Sequence, residues 1–449
     1  MTPTDTIAAV ATAPGRGAVG ILRLSGPEAV RIAEALSGPL PPPRNAALRR
    51  FRDAQGAPLD QGLVLVFPGP ASFTGEDVVE LQGHGGVAVL DALLQAACQH
   101  GARVARPGEF SERAFLNGRL DLAQAEAIAD LVDAGSARAA RAAVRALEGA
   151  LSQRVAVLSE QLIEARVFIE GALDFSDEDV DWLADAGLAA RLATLEAGLD
   201  ALLRDVERGR RLQSGLRVVL TGAPNVGKST LLNRLAGHDA AIVTDIAGTT
   251  RDVLREHLVL DGLPLTLIDT AGLRDSDDVV EREGIRRAWA AVNEADLALF
   301  LVDGRHGLTA DDQALLARLP DGLACWVLAN KCDLSSTTPG WDDTATPRRL
   351  ALSAATGAGI DALVAALHQH AGLSADDEPP FTARTRHLDA LRRTRDHTDA
   401  AQARLADGAL PELAAEELRL AHAALSEITG QFSTEDLLGR IFAGFCIGK

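Results

Sequence analysis

Two glycines, a lysine and a hydroxyl fall at phosphate-cradling spacing in Gly222-Ala223-Pro224-Asn225-Val226-Gly227-Lys228-Ser229. The apolar run Leu216-Arg217-Val218-Val219-Leu220 precedes this stretch, and the helix-forming Thr230-Leu231-Leu232 follows it. That order supplies the strand, turn and helix such a loop requires. Backbone N–H groups of the loop and the helix start would meet phosphate oxygens, and Lys228 would reach the terminal phosphates. Ser229 would sit on Mg²⁺, a hard cation that takes oxygen ligands. The bland alternative is a strand-turn-helix with accidental glycines, and each matching motif downstream weakens it.

Those motifs follow in order. Thr249-Thr250 could bring a hydroxyl to the metal, and Asp269-Thr270-Ala271-Gly272 closes the apolar strand Leu263 to Ile268. There the carboxylate can hold the Mg²⁺ shell through water while the Gly272 N–H meets the terminal phosphate. Asn330-Lys331-Cys332-Asp333 closes a second strand, Ala324 to Ala329. A carboxylate at that place accepts from the N1–H and exocyclic amine of guanine, whereas adenine would leave it unpaired. Ser353-Ala354-Ala355 ends a third strand and suits a backbone contact to the guanine oxygen. Together these imply a GTP-specific P-loop domain. A Ras-like switch would have a water-orienting Gln directly after Gly272, and this chain has Leu273. The nearest substitute is Glu281, in the acidic stretch Asp277 to Gly284; the alternative is a solvated helix start, where acids are favoured.

The chain has 449 residues, enough for two or three domains, and a net charge of −19 from 44 basic and 63 acidic residues. That balance excludes a generic polyanion binder, so any RNA contact must be local or shared with a basic partner. Cys98, Cys325, Cys332 and Cys446 lack Cys-x-x-Cys or His-paired spacing, which argues against a zinc site or disulfide framework and for a reducing compartment. No basic-then-apolar leader opens the chain, and no apolar run approaches the ~18 residues of a bilayer span. The expectation is a cytoplasmic protein with no membrane segment.

The elements that must position these residues alternate in texture. Strands at 7–12, 18–24, 63–67 and 78–81, with helices at 28–36 and 87–100, predict a small N-terminal domain over 1–118. Arg23 and Glu80 lie inside its apolar strands, where a charge is expensive unless paired or liganded; a mutual ion pair is the plainer reading. His84, between glycines, reads as a turn residue. From Leu120 the composition turns to Ala, Leu, Arg and Glu, and Leu151, Val155, Leu158, Leu162 and Ile169 recur at helical spacing, as do Leu188 to Val206. Helical texture returns after the linker Ser374 to Pro380, in Leu388, Leu391, Leu405, Leu418, Ala421, Leu425 and Ile428. The expected fold class is therefore multidomain α/β and all-α. It comprises an N-terminal α+β domain, a discontinuous helical bundle from 119–212 and 374–449, and an inserted Ras-like P-loop GTPase domain at 213–373. The tail Phe442-Ala443-Gly444-Phe445-Cys446-Ile447-Gly448-Lys449 suggests docking rather than fraying, and does not fit a prenylation box. Cys446 is also readable as a small buried hydrophobe.

Five stretches carry a family resemblance: Gly15 to Gly26, Phe73-Thr74-Gly75-Glu76-Asp77, Gly108 to Gly118, Asp245-Ile246-Ala247-Gly248-Thr249-Thr250-Arg251-Asp252, and the closing Phe445-Cys446-Ile447-Gly448-Lys449. Over essentially its whole length the chain resembles the MnmE (TrmE) family of tRNA-modification GTPases. The resemblance implies an N-terminal tetrahydrofolate-binding and dimerisation domain, and a GTPase that dimerises as its switches close. It implies work with MnmG, an FAD-dependent partner, in a heterotetramer or larger complex. The product would be an aminomethyl or carboxymethylaminomethyl group on the wobble uridine of certain tRNAs, with the one-carbon unit from formyl- or methylene-tetrahydrofolate. By motif position Arg23, Glu80, Arg119 and Lys449 would contact the folate, although the family often has Lys where this chain has Arg119. Cys446 matches the family's essential tail cysteine.

The same resemblance gives K⁺ as the ion in place of an arginine finger. Its neutral ligands would be Asn225, the backbone oxygens of Thr244 and Ile246, and the Thr249 hydroxyl. Mg²⁺ would rest on Ser229 and Thr250. The GTP-binding set then comprises Asn225, Val226, Gly227, Lys228, Ser229 and Thr230, with Thr244, Asp245, Ile246, Ala247, Gly248, Thr249 and Thr250. Asp269, Thr270, Ala271 and Gly272, Asn330, Lys331, Cys332 and Asp333, and Ser353, Ala354 and Ala355 complete it. Catalytic roles fall to Asn225, Lys228, Glu281 and Cys446. Two other classes compete. A GTP-dependent ribosome-assembly or RNA-binding switch would carry a basic RNA-binding domain, which the flanking regions lack. A folate enzyme with a purely regulatory GTPase stays open on sequence alone.

Overall fold

The computed structural model describes residues 5–174, 186–237, 255–269, 289–290, 292–335, 337–372, 380–406, 411–431, 438, 441–442, 445 and 448. The chain divides into two compact units, 1–129 with 147–195 and 393–449, and 130–146 with 196–392. The helical segments flanking the central region are shared between them.

The first unit begins with β1 (Ile7–Val10), β2 (Gly17–Ser25), α1 (Ala29–Ser37), β3 (Ala47–Arg52), β4 (Pro58–Phe67), β5 (Val78–Gly85), α2 (Val87–Gln99), β6 (Arg103–Val104) and α3 (Glu109–Leu116). Its sheet runs β3-β4-β5-β2-β1-β6, antiparallel except for the β1–β6 pair. Strand side chains alternate between faces. Leu22, Leu24, Val64, Val66, Val79 and Leu81 therefore face one way and are buried with the apolar stripes of α1 and α2. The opposite face carries Arg23 and Glu80, directly paired across β2 and β5, and near it Phe110 of α3 is buried with Ile7 and Ala9.

His84 departs from the expected turn. β5 extends through Gly85, and Asp60 of β4 accepts from both the His84 backbone N–H (2.7 Å) and its ring (Nδ1–Oδ1 2.8 Å), so the imidazole is held on a strand. The glycines beside it serve close approach instead: a Cβ at Gly85 would stand 2.6 Å from Gly17 O.

The chain continues through α4 (Leu122–Val132), α5 (Ala137–Leu147), α6 (Ala150–Asp174) and α7 (Ala186–Ser214). The periodic leucines behave as their spacing predicts: Leu151, Val155, Leu158, Leu162, Ile169, Leu188, Leu192, Leu195, Leu199, Leu202 and Val206 are all buried. In the second unit follow β7 (Leu216–Gly222), α8 (Lys228–Ala236), β8 (Arg255–Leu260), β9 (Leu263–Asp269), β10 (Leu297–Asp303), α9 (Ala310–Leu316), β11 (Ala324–Asn330), β12 (Gly340–Asp342), β13 (Arg349–Ala351) and α10 (Ile360–His370). The sheet order is β12-β13-β11-β10-β7-β9-β8, with β8 and β12 antiparallel at its edges and the strands between them parallel. From β7 the chain builds outward first through β8 and β9, then on the other side through β10, β11 and β13. The loop leaving β7 thus lies at the topological switch point, where open α/β sheets bind ligands.

Helices α11 (Thr385–Ala406) and α12 (Pro411–Ser426) close the chain, α12 packing along α6. The tail docks within the first unit, Phe442 and Phe445 being buried against Leu122, Ala125 and Ala129. Among the described residues no helix is long and apolar enough to cross a membrane.

Candidate functional site

Gly222 ends β7 at φ 137°, and a Cβ there would collide with the Leu301 carbonyl of β10. Asn225 adopts φ 63°, a left-handed conformation that Asn tolerates better than most residues. Gly227 caps α8 at φ 103°, and a Cβ on it would run into the Asn330 amide. The loop is thus the narrow turn its glycines predict, with Val226 buried beneath it. Lys228 Nζ donates to the carbonyls of Gly222 (2.9 Å) and Ala223 (3.1 Å), which holds the ammonium over the loop. Ser229 and Thr230 are exposed on the first turn of α8, where a Mg²⁺ ion and phosphate oxygens could be met.

Among the described residues, the end of β11, where base recognition is expected, is tied to this loop by the side chains of Asn330 and Lys331. Asn330 is 3% exposed; its amide donates to Val226 O (2.8 Å) and its oxygen accepts from Ala354 N (2.9 Å). One side chain therefore joins the P-loop to Ser353-Ala354-Ala355. Lys331, at φ 68°, donates to Asn225 O (2.9 Å) and to Asp303 Oδ2 (2.9 Å). Cys332 is buried and its N–H donates to Leu352 O, leaving the next residue, Asp333, exposed as a guanine-reading carboxylate must be. Ser353 is fully buried. Arg234 of α8 donates to the carbonyls of Ala354 (3.0 Å) and Ala355.

Asp303 was not among the residues singled out in sequence. Hydrogen bonds from Arg305 and then Lys331 hold its carboxyl well below the usual carboxylate range. The signal was present, since an acid closes the apolar strand Leu297 to Val302 just as Asp269 closes β9. Asp269 itself pairs in register with Leu220, beside the root of the P-loop. Its side chain lies outside the described residues, as do Thr244, Asp245, Ile246, Ala247, Gly248, Thr249, Thr250, Thr270, Ala271, Gly272, Glu281, Cys446 and Lys449.

A second polar cluster lies on the first unit's sheet. Arg23 Nε donates to Glu80 Oε1 at 3.0 Å, and Gln82 donates to the other Glu80 oxygen at 3.1 Å. The pair is partly open, with side chains 23% and 14% exposed, and the Arg23 guanidinium lies 5.8 Å from both the Phe73 and the Phe110 ring centroids. Arg23 also donates to Gly448 O (3.3 Å), so the penultimate residue is brought to this cluster. Arg119 is exposed on the turn after α3, its stem beside Gly75, and among the described residues makes no hydrogen bond to Glu80.

Behind the cluster is a buried ion network that the sequence reading missed. Arg113, 1% exposed, donates to Asp5 Oδ1 (2.7 Å), both Glu76 oxygens (3.2 Å) and Glu109 Oε1 (3.3 Å). Arg103 adds bonds to Glu109 at 2.6 and 3.1 Å. Burial pushes the Glu109 carboxyl upward, but Arg103, the Arg106 N–H and Arg113 outweigh it and hold the group below its ordinary value. Burial raises the Cys98 and Cys332 thiols and pushes Cys325 up to about 11, which disfavours the thiolate at these three free cysteines.

A family profile described as "MnmE helical domain" matches residues 122–446, and one described as "GTP-binding protein TrmE N-terminus" matches residues 6–119. Curated proteins named "tRNA modification GTPase MnmE" from Pectobacterium carotovorum subsp. carotovorum and Sodalis glossinidius are each 53% identical over 100% of both chains. A solved structure of an Aquifex aeolicus Era variant bound to GDP and AlF4⁻ is 25% identical over 40% of this chain and 66% of that one, with a TM-score of 0.28. Two adjoining profiles and relatives matched from end to end agree: the chain belongs to the MnmE (TrmE) family of tRNA modification GTPases.

Proposed function

We propose that the chain is a K⁺-activated GTP hydrolase acting in tRNA modification. It works as a homodimer with MnmG, in a heterotetramer or larger complex. Together they place an aminomethyl or carboxymethylaminomethyl group on the wobble uridine of certain tRNAs. In this reading residues 1–118 bind a formyl- or methylene-tetrahydrofolate and dimerise, 119–212 and 374–449 form the helical domain, and 213–373 form the GTPase domain. The observation that carries the hydrolase is the double clamp of Asn330 on Val226 and Lys331 on Asn225, which makes base recognition and phosphate binding one rigid unit.

Asp333 reads guanine, and Lys228 with the α8 N–H groups binds the terminal phosphates. Ser229 and Thr250 would hold Mg²⁺; Asn225, Thr244, Ile246 and Thr249 would hold K⁺. Bound there, the two ions would supply positive charge to offset the negative charge on the oxygens of the transferring γ-phosphoryl group. Neutral ligands suit the K⁺ place because they leave the ion's charge facing the phosphates, which is why Asn rather than Asp belongs at 225. Glu281 orients the attacking water through a second water, since a carboxylate in direct contact would repel the phosphates.

The residues of the second cluster fit a folate. A carboxylate such as Glu80 accepts from the donor edge of a pterin, Arg23 pairs with glutamate carboxylates, and the Phe73 and Phe110 rings flank the guanidinium. Arg119 and Lys449 would add positive charge, Cys446 would act at this site, and the bound folate would supply the one-carbon unit.

Turnover of GTP measured in K⁺ and in Na⁺ tests the proposal. It should be strong in K⁺ and weak in Na⁺. Asn225→Ala should lose the difference while still binding GTP, and Glu281→Ala should lose turnover. Equal rates in the two salts, or a fully active Glu281→Ala, contradict it.

A further inference from the structure

The β8–β9 hairpin turns at Asp261 (φ 48°) and Gly262 (φ 85°). In sequence, β8 follows the segment that carries Thr249-Thr250, and β9 leads into Thr270-Ala271-Gly272. The hairpin is therefore the covalent link between two nucleotide-sensing stretches. Among the described residues, His368 and Ser136 both bond backbone carbonyls at its turn. His368 of α10 bonds Leu260 O (2.9 Å), a contact internal to the nucleotide fold. The other hold comes from far along the chain: Ser136 Oγ donates to Gly262 O at 3.0 Å.

Ser136 sits on the elbow between α4 and α5. The same oxygen accepts from Ala139 N at 3.1 Å, capping the first turn of α5. A hydroxyl has one proton to give, and here it goes to the hairpin while a lone pair serves the helix. Turn and helix start are thereby one hydrogen-bonded body. The other half of α5 is fixed as well, since Thr382 N donates to Ala142 O (3.3 Å) and Arg145 Nε to Pro380 O (2.8 Å). Between the elbow and the hairpin lies a cavity of about 260 Å³, lined by Asp133, Gly135, Ala139, Leu258, Val259 and Leu265 among others. Close-packed interiors resist small displacements, so a void at this place lets the hairpin shift without breaking the core.

We propose that Ser136 is a positioning residue that passes the nucleotide state from the turn of the β8–β9 hairpin to the α4–α5 elbow, and that tRNA modification depends on this transfer. The final clause rests on the function proposed above; the transfer itself needs only a nucleotide-responsive hairpin.

Three substitutions separate the two bonds of the hydroxyl. Ser136→Thr keeps both, Ser136→Asp keeps the helix cap but has no proton to donate, and Ser136→Ala loses both. Hydrogen exchange of the full-length protein is compared in GDP and in GDP with aluminium fluoride, reading peptides over 255–265 and 130–139. In the wild type and Ser136→Thr both regions should respond to the nucleotide. In Ser136→Asp the hairpin response should persist while the elbow response falls about fivefold or more, the low end of allosteric coupling. Ser136→Ala should behave the same way at the elbow. GTP turnover in Ser136→Asp should stay near wild type, with fewer uridines modified per GTP hydrolysed. An elbow that responds equally in Ser136→Asp, or that is silent in the wild type while the hairpin responds, overturns the transfer. A hairpin silent in the wild type overturns the nucleotide-switch reading, and the inference with it.

Discussion

Asp333 stands exposed one residue beyond a buried cysteine, and its carboxylate can only accept hydrogen bonds. Asp333→Asn presents a donor instead, which mismatches the guanine amine but suits a carbonyl at the same position of xanthine. We expect the variant to lose most GTP turnover and to gain turnover of XTP, measured by phosphate release. Unchanged preference for GTP would remove Asp333 from base recognition. At this scale the sequence is legible as motifs, because the phosphate and base recognition proposed here demands fixed residue types at fixed spacing. Asn330 and Lys331 stand at the end of β11 and bond the loop backbone at Val226 and Asn225. The bond between Lys331 and Asp303 was harder to foresee, because it joins the ends of two neighbouring parallel strands. No spacing rule relates residues on different strands before the sheet order is known.

Elements were legible where their period was strong. The leucines of α6 and α7 faced inward as predicted, but β5 ran on through Gly83-His84-Gly85, because Asp60 of the neighbouring strand supplies partners that a single-strand reading cannot see. The network at the start of α3 was missed for the same reason. Asp5, Glu76, Arg103, Glu109 and Arg113 come from separate elements and meet only when the sheet is assembled. Glu109→Gln would remove the charged partner that Arg103 and the buried Arg113 share, leaving them only Asp5 and Glu76 among the described residues, at a cost of about 3 kcal/mol at neutral pH. The folded pKa of Glu109 lies below its unfolded value. Its contribution is therefore complete above about pH 4.3 and is lost as pH falls through the folded pKa. Urea unfolding followed by circular dichroism should show the full gap between wild type and Glu109→Gln at pH 7 and a shrinking gap below about pH 4. A gap independent of pH would contradict the assignment.

At the scale of the whole molecule, an α/β nucleotide region within a helical chain was readable from composition, because apolar strands and Ala/Leu-rich helices differ over long windows. The return of the tail to Arg23 was only partly readable, since an apolar end suggests docking without saying where. It ends 425 residues away, on the strand face that carries Glu80. That convergence makes the folate proposal testable apart from GTP: Arg23→Ala with Glu80→Ala should abolish formyl-tetrahydrofolate binding in titration calorimetry while GTP hydrolysis stays nearly intact. Retained folate affinity would displace the site. The central claim, that GTP turnover at the P-loop serves tRNA modification, is tested most directly by mass analysis of wobble uridines. Cells lacking this protein are complemented with wild type or with Lys228→Ala. We predict that the wild type restores the aminomethyl or carboxymethylaminomethyl uridine and that Lys228→Ala does not; full restoration by Lys228→Ala, or unaltered uridines in the uncomplemented cells, would contradict the account.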